Sequence, residues 1–187
     1  MRAITLPAAV RRPAPGTAKR AFDAAGAALV LAVALLPLLA LAAAVALAER
    51  GTPLTREPAA GLGGRTYRRH LFRTTRAAWL RPWALEGLPQ LLDVLRGEMS
   101  LVGPRPLPPG AGAPRERGLV RPGMTGLWQV SARSDLPWEE MALLDLHYVE
   151  HHWLGMDLAI LAQTPRAALR VRAPHSKRTP AAQGRAA

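Results

Sequence analysis

The alternation of hydrophobic and polar positions gives the chain its first outline. Residues 1–18 carry Arg2, Arg11 and Arg12 among Pro7, Pro13, Pro15 and Gly16 with no periodicity, which predicts a basic flexible tail. Residues 24–48 contain no charge; as a helix rising ~1.5 Å per residue this run outreaches a hydrocarbon layer of ~30 Å, so it predicts a membrane-inserted helix. Residues 49–67, rich in Gly, Pro and Thr, read as loop or short strands. Leu88, Leu91, Leu92 and Leu95 then fall at the i, i+3, i+4, i+7 spacing of one helix face, with Pro89 tolerated in the first turn and Gly97 as a stop. A brief apolar run, Met99-Ser100-Leu101-Val102, leads into Gly103-Pro104-Arg105-Pro106. Further on, Trp138 to Glu150 predicts a helix, and residues 153–172 another helix or pair of helices, with Trp153, Leu154, Leu158, Leu161 and Leu169 on one side and Arg166, Arg170 and Arg172 near the end. That pattern fits a membrane-interface helix and a core-packing helix equally. Residues 173–187 form a second basic tail, and no internal repeat is present.

The apolar run admits three arrangements. A cleaved signal peptide would match the basic leader and the Ala46-Leu47-Ala48 triplet, but the run exceeds the usual apolar region of ~7 to 15 residues. A single crossing and a re-entrant helix divide the remaining ground. Lys19 and Arg20 precede the span, and Arg50, Arg56, Arg65, Arg68 and Arg69 follow it, so both flanks carry the positive charge expected of a cytoplasmic side. Pro37 in mid-span removes a backbone hydrogen bond and favours a bend, although prolines also occur in ordinary crossings.

Composition narrows the chemistry. At 187 residues the chain accommodates one modest domain with appendages. A formal charge of +12 suits nucleic acid, an anionic membrane surface or phosphorylated substrates; the apolar span favours the latter two, and no aromatic or basic-helix readout element points to a nucleic-acid partner. The absence of cysteine excludes disulfides, thiolate metal sites and cysteine nucleophiles. His70, His147, His151, His152 and His175 match no strong metal-ligand spacing and read as surface or interface residues. Arg105, held between two prolines that restrict its backbone, is a natural anion-binding group, since a guanidinium can bind phosphate oxygens in pairs.

The string from Leu85 to Pro106, L-E-G-L-P-Q-L-L-D-V-L-R-G-E-M-S-L-V-G-P-R-P, resembles the core motif of the bacterial sugar transferases, close to S-L-D-E-L-P-Q-L-x-N-V-L-x-G-E/D-M-S-L-V-G-P-R-P. The block from Val120 to Arg133 is similar to that family's V-x-P-G-I-T-G-x-x-Q-V-x-G-R, Lys19-Arg20-Ala21-Phe22-Asp23 to its K-R-x-F-D opening, Leu71 to Thr75 to its K-F-R-T-M, and Asp145 to Tyr148 to its D-x-x-Y. The likeness implies a re-entrant membrane helix and a monotopic enzyme that moves a sugar 1-phosphate from a nucleotide-diphosphate sugar onto polyprenyl phosphate, initiating polysaccharide or glycan assembly, with Mg²⁺ as cofactor. By the same likeness Glu86 is the catalytic carboxylate and a metal ligand, while Arg73, Pro104, Arg105, Pro106, Gln129 and Arg133 bind phosphate or substrate. This chain departs from the pattern at the family's catalytic Asp-Glu pair, which becomes Glu86-Gly87; at Q-E-R, which becomes Arg56-Glu57-Pro58; and after Thr75, where a connecting segment is largely missing. With Gly87 lacking a carboxylate, Asp93, Glu98 and Asp145 become the further acids considered for the metal.

These readings combine into an expectation of an α+β, mainly helical protein: a basic tail at 1–18, a membrane-inserted, re-entrant helix at 19–50, a small cytoplasmic catalytic domain with interfacial amphipathic helices at 51–172, and a basic tail at 173–187. Its place would be the bacterial inner membrane, with the domain facing the cytoplasm and the lipid bilayer as a partner. The departures around Glu86 carry an alternative expectation, a catalytically inactive relative acting as a membrane-bound interaction or binding subunit.

Overall fold

The structure is a computed structural model that describes residues 16–111, 114–131 and 138–170. It is mainly helical, with one long apolar helix at the N-terminal side of a small domain that holds two two-stranded sheets. Helix α1 (Thr17–Glu49) is unbroken through Pro37 and is the one helix among the described residues long and apolar enough to cross a membrane. The hairpin β1 (Leu54–Ala60) and β2 (Thr66–Phe72) follows in antiparallel register, with Glu57 opposite Arg69 and Arg56 opposite His70. Two 3₁₀ helices, Ala78–Trp83 and Leu85–Gln90, meet at Ala84, whose φ of 53° reverses the chain. A non-glycine residue there is strained and persists only where surrounding contacts fix it.

The predicted helix after Leu85 forms in two parts, the second 3₁₀ helix and α2 (Leu91–Arg96), and Gly97 ends it in the left-handed conformation at φ 85°. Its buried face is turned from the one the leucine spacing suggests. Leu91, Asp93 and Val94 are buried, whereas Leu95 is exposed. The short strand β3 (Ser100–Val102) pairs in parallel with β4 (Gly123–Thr125). The two strands approach at glycines: a Cβ on Gly103 would lie 2.5 Å from the Arg121 carbonyl oxygen, and one on Gly123 would lie 2.1 Å from Gly103 N. Only residues without a side chain permit that spacing. Three helices complete the domain, α3 (Leu127–Val130), α4 (Trp138–His151) and α5 (Leu154–Arg170).

Both ends of α1 are docked on this one domain. At its start, Asp23 accepts hydrogen bonds from Ser100 Oγ (2.7 Å) and Leu101 N (3.2 Å), Arg20 donates to the Val94 and Leu95 carbonyls at the end of α2, and Lys19 Nζ meets Asp157 Oδ2 of α5 at 2.6 Å. At its end, Val45 packs with Phe72, Ala77 and Leu80, and Glu49 Oε1 accepts the Arg76 and Ala77 N–H groups at 2.7 and 2.9 Å. Between them Leu29, Val33, Leu36 and Leu39 are exposed. The main core gathers Ala27, Ala59, Tyr67, Leu91, Val94, Met99, Leu101, Val102, Tyr148 and Ile160.

The apolar side predicted for α5 is divided, its start facing outward while Leu161 packs against the main core. Trp153, Leu154 and Leu158 are exposed, and the helix instead buries Asp157, Ile160 and Ala167. Asp157 is completely buried and is satisfied by Lys19 and by the Tyr148 hydroxyl at 2.6 Å.

Candidate functional site

The central cavity, about 1100 Å³ in volume, lies between the β1–β2 hairpin, the two 3₁₀ helices and the β3–β4 region. It unites Glu86, Arg73, Arg105, Pro106 and Gln129. Pro104 is buried and borders a neighbouring cleft that shares Arg105. Arg133 lies outside the described residues.

Arg105 is positioned by its backbone. Its N–H donates to Asp145 Oδ1 at 3.1 Å, and its carbonyl accepts from Arg117 Nη2 at 2.6 Å. Arg117 and Asp145 in turn form a buried ion pair at 2.7 Å. Desolvation raises the Asp145 carboxyl above its ordinary range and lowers the Arg117 guanidinium, so burial outweighs mutual attraction on both partners. With its backbone held at both polar groups, Arg105 leaves its guanidinium to the cavity, 5.9 Å from the centre of the Trp128 ring. The D-x-x-Y spacing on α4 thus has two uses: Asp145 holds Arg105, and Tyr148 donates to the Val102 carbonyl just before Gly103-Pro104.

Glu86 sits on the second 3₁₀ helix, half-buried, with Oε2 shielded from solvent and without a protein partner. Desolvation raises its carboxyl above the ordinary range, opposed by its own backbone N–H and by Arg81. Arg81 lines the same cavity, anchored by Nε and Nη2, which donate to Thr74 Oγ1 at 3.2 and 3.1 Å. Further unpaired buried atoms belong to cavity-lining side chains: Arg69 Nε, Trp128 Nε1 and Gln129 Oε1. Unsatisfied polar atoms are uncommon in folded proteins, and their concentration around one cavity marks it as a place where a polar ligand or a rearrangement completes the bonding.

The acids considered alongside Glu86 sit elsewhere, which corrects that expectation. Asp93 is buried against His70, accepting its backbone N–H at 2.7 Å and pairing with its Nδ1 at 2.6 Å. His70 is therefore a buried structural residue rather than a surface one. Asp145 is committed to Arg117 and Arg105, and Glu98 borders a separate cleft behind the hairpin with Arg56, Arg68 and Arg96. The second carboxylate in the cavity is Glu57, paired with Arg69 at 2.6 Å across the hairpin. No group of three or more His, Asp or Glu side chains suited to a metal occurs among the described residues. Sequence reasoning also missed Arg81, Glu57 and Trp128. Hairpin alternation was the available signal for Glu57, because it places positions 55 and 57 on the side of 69 and 71.

The family profile described as bacterial sugar transferase matches residues 15–171. A UDP-galactose-lipid carrier transferase of Erwinia amylovora is 34% identical over 187 aligned residues, covering 78% of this chain and 39% of that protein. An undecaprenyl-phosphate glucose phosphotransferase of Komagataeibacter xylinus is 34% identical, covering 78% of this chain and 35% of its own length. An undecaprenyl-phosphate galactose phosphotransferase of Salmonella typhimurium is 42% identical over 100 residues, 49% of this chain and 20% of that protein. The chain thus spans well under half the length of these relatives.

Proposed function

The chain belongs to the bacterial sugar transferase family, and on that premise we propose that it transfers a sugar 1-phosphate from a nucleotide-diphosphate sugar to polyprenyl phosphate, beginning the assembly of a polysaccharide or other glycan. The observation that carries this reading is a half-buried carboxylate, Glu86, sharing one cavity with Arg73, Arg81 and Arg105. Phosphoryl transfer relies on positive charge around the phosphates and a positioned nucleophile, and the cavity offers both.

In the proposed first step a Glu86 oxygen attacks the phosphorus bonded to the sugar. The bond to the bridging oxygen breaks and the nucleoside monophosphate leaves with that electron pair. In the second step an oxygen of polyprenyl phosphate attacks the same phosphorus, restoring the free Glu86 carboxylate and releasing polyprenyl diphospho-sugar. Arg73 and Arg105 bind phosphate oxygens through both steps, and Gln129 contributes amide hydrogen bonds to the donor. Mg²⁺, when bound, neutralises charge on the diphosphate; Glu86 is its protein ligand in this reading. A site with one or two carboxylates suits this ion, which usually completes its shell with water and substrate phosphates.

Topology follows from the two docked ends of α1. A helix of 33 residues inserted in a bilayer while both ends bind one domain enters and leaves on the same side. We therefore read it as re-entrant, with the exposed Leu29, Val33, Leu36 and Leu39 in lipid and Trp153, Leu154 and Leu158 at the interface. On this reading the domain faces the cytoplasm at the inner membrane, where a nucleotide sugar is available. A second reading, a binding subunit without catalysis, is favoured by one feature: Gly87 supplies no second carboxylate beside Glu86.

Purified protein in detergent with Mg²⁺, undecaprenyl phosphate and a panel of radiolabelled nucleotide sugars separates the two. Labelled lipid formed by the natural protein and abolished by Glu86→Gln supports the enzyme. No labelled lipid across the panel, with both proteins binding the lipid equally, supports the subunit.

A further inference from the structure

Helix α3 brings two consecutive side chains with unspent hydrogen-bonding groups to the central cavity. Trp128 Nε1, which can only donate, and Gln129 Oε1, which can only accept, are shielded from bulk water and have no protein partner. The indole is held on two sides. A Cβ on Gly126 would lie 2.8 Å from both Cδ1 and Nε1, so the ring rests against a backbone that carries no side chain there. The Arg105 guanidinium stands 5.9 Å from the ring centre, within the ~6 Å reach of a cation–π contact. Arg105 is itself fixed through its backbone by Asp145 and Arg117, so the indole has a set place relative to a phosphate-binding group.

That neighbourhood indicates which part of the donor lies beside α3. In a nucleotide-diphosphate sugar, the sugar is joined through one oxygen to the phosphorus that Arg105 serves, which makes it the next group along the molecule. A phosphate oxygen can use the Trp128 N–H but has no proton for Gln129 Oε1, and a polyprenyl chain satisfies neither. A hydroxyl both accepts and donates, and a sugar carries several. We propose that Trp128 and Gln129 form the sugar subsite of the donor, Trp128 Nε1 donating to one hydroxyl and Gln129 Oε1 accepting from a hydroxyl, so that these two residues select the sugar while the arginines hold the phosphates. A sugar whose hydroxyls miss these positions leaves both atoms buried and unpaired, which is the basis of discrimination. The inference deepens the proposed function and rests on the central cavity being the donor site.

The test is equilibrium binding in detergent, by isothermal titration calorimetry, of UDP, UDP-galactose, UDP-glucose and their monodeoxy-sugar forms to the natural protein, Trp128→Phe and Gln129→Leu. The natural protein should bind one of the two UDP-hexoses more tightly than UDP, and at least one monodeoxy form about fivefold more weakly than its parent. Trp128→Phe, which keeps an aromatic ring and loses the N–H, should bind the parent as weakly as the natural protein binds that deoxy form, show no further loss with the deoxy form, and bind UDP unchanged. Gln129→Leu should show the same pattern for the hydroxyl that it accepts from. Equal binding of the parent and every monodeoxy form by the natural protein overturns the subsite, and this arm needs no substitution to fold. Equal weakening of UDP and UDP-hexose in Trp128→Phe also overturns it, assigning the indole to the nucleotide. Both results leave the cavity as the donor site, whereas a natural protein that binds neither UDP nor either UDP-hexose overturns the donor reading and the subsite together.

Discussion

Asp145 holds Arg105 by the backbone: its Oδ1 accepts the Arg105 N–H at 3.1 Å while its Oδ2 pairs with Arg117, which donates to the Arg105 carbonyl. The two prolines restrict the torsions of the segment, and this pair fixes its place relative to α4. Asp145→Asn should therefore reduce transfer roughly tenfold to a hundredfold through misplacement of Arg105, with the loss divided between KM and kcat. Stability should also fall by about 3 kcal/mol, because Arg117 is left buried and uncompensated. Steady-state kinetics beside denaturant unfolding checks both.

Lys19→Met should weaken the docking at the start of α1, where Arg20 and Asp23 remain bonded to the domain. It leaves Asp157, fully buried, with the Tyr148 hydroxyl as its remaining side-chain partner. Breaking a buried pair in this way costs about 3 to 5 kcal/mol. Asp157→Asn, which keeps a hydrogen-bonding group and removes the charge, should cost less. Thermal unfolding in detergent orders the two variants, and the reverse order would contradict the assignment.

Asp93→Asn should destabilise the domain by about 2 to 3 kcal/mol, since one buried carboxylate serves both the backbone and the ring of His70. His70 and Asp93 border the cleft behind the hairpin, not the central cavity, so KM for both substrates should be unchanged in the folded fraction. A large KM change would place this pair in the site.

Much of this was readable from the sequence because glycine, proline and leucine spacing act locally. Gly97 and the helix boundaries near Trp138 and His151 follow such signals, whereas the gathering of Arg73, Arg105 and Gln129 with Glu86 in one cavity was legible only through the family resemblance. The unread parts depend on contacts distant along the chain. Asp93 looks like a polar residue on an amphipathic helix until β2 presents His70 23 positions away, and Asp157 looks like a solvated first-turn acid until Lys19 arrives from 138 positions away. The apolar side of α5, outward at Leu154 and Leu158 and packed on the core at Leu161, fits both a core and an interface reading, because periodicity describes a face without saying what covers it. Arg81 was hidden by the strained turn at Ala84, which no residue preference announces.

The chain contains no cysteine, so single cysteines report topology without background. Gly16→Cys and Gly51→Cys, at the two ends of α1, should both react with a membrane-impermeant reagent in inside-out vesicles and both resist it in right-side-out vesicles. Opposite behaviour would contradict a re-entrant helix.

Glu86→Gln should gain stability as it loses function. Burial raises the Glu86 carboxyl in the folded protein, so the folded state holds its proton more tightly than the unfolded chain does. The stabilising contribution of that proton is present below the ordinary glutamate range and disappears as pH rises through the raised value. At neutral pH the wild type therefore carries a destabilising charge that the glutamine variant lacks, and the variant should melt higher there but not at pH 4.

The most direct test is to incubate the protein with a nucleotide sugar labelled in the sugar-linked phosphate, omit the lipid, and map the label by mass spectrometry. A sugar phosphate on Glu86 that polyprenyl phosphate discharges, absent from Glu86→Gln, is the predicted result. Transfer that persists in Glu86→Gln, or a label carried by another residue, would contradict it.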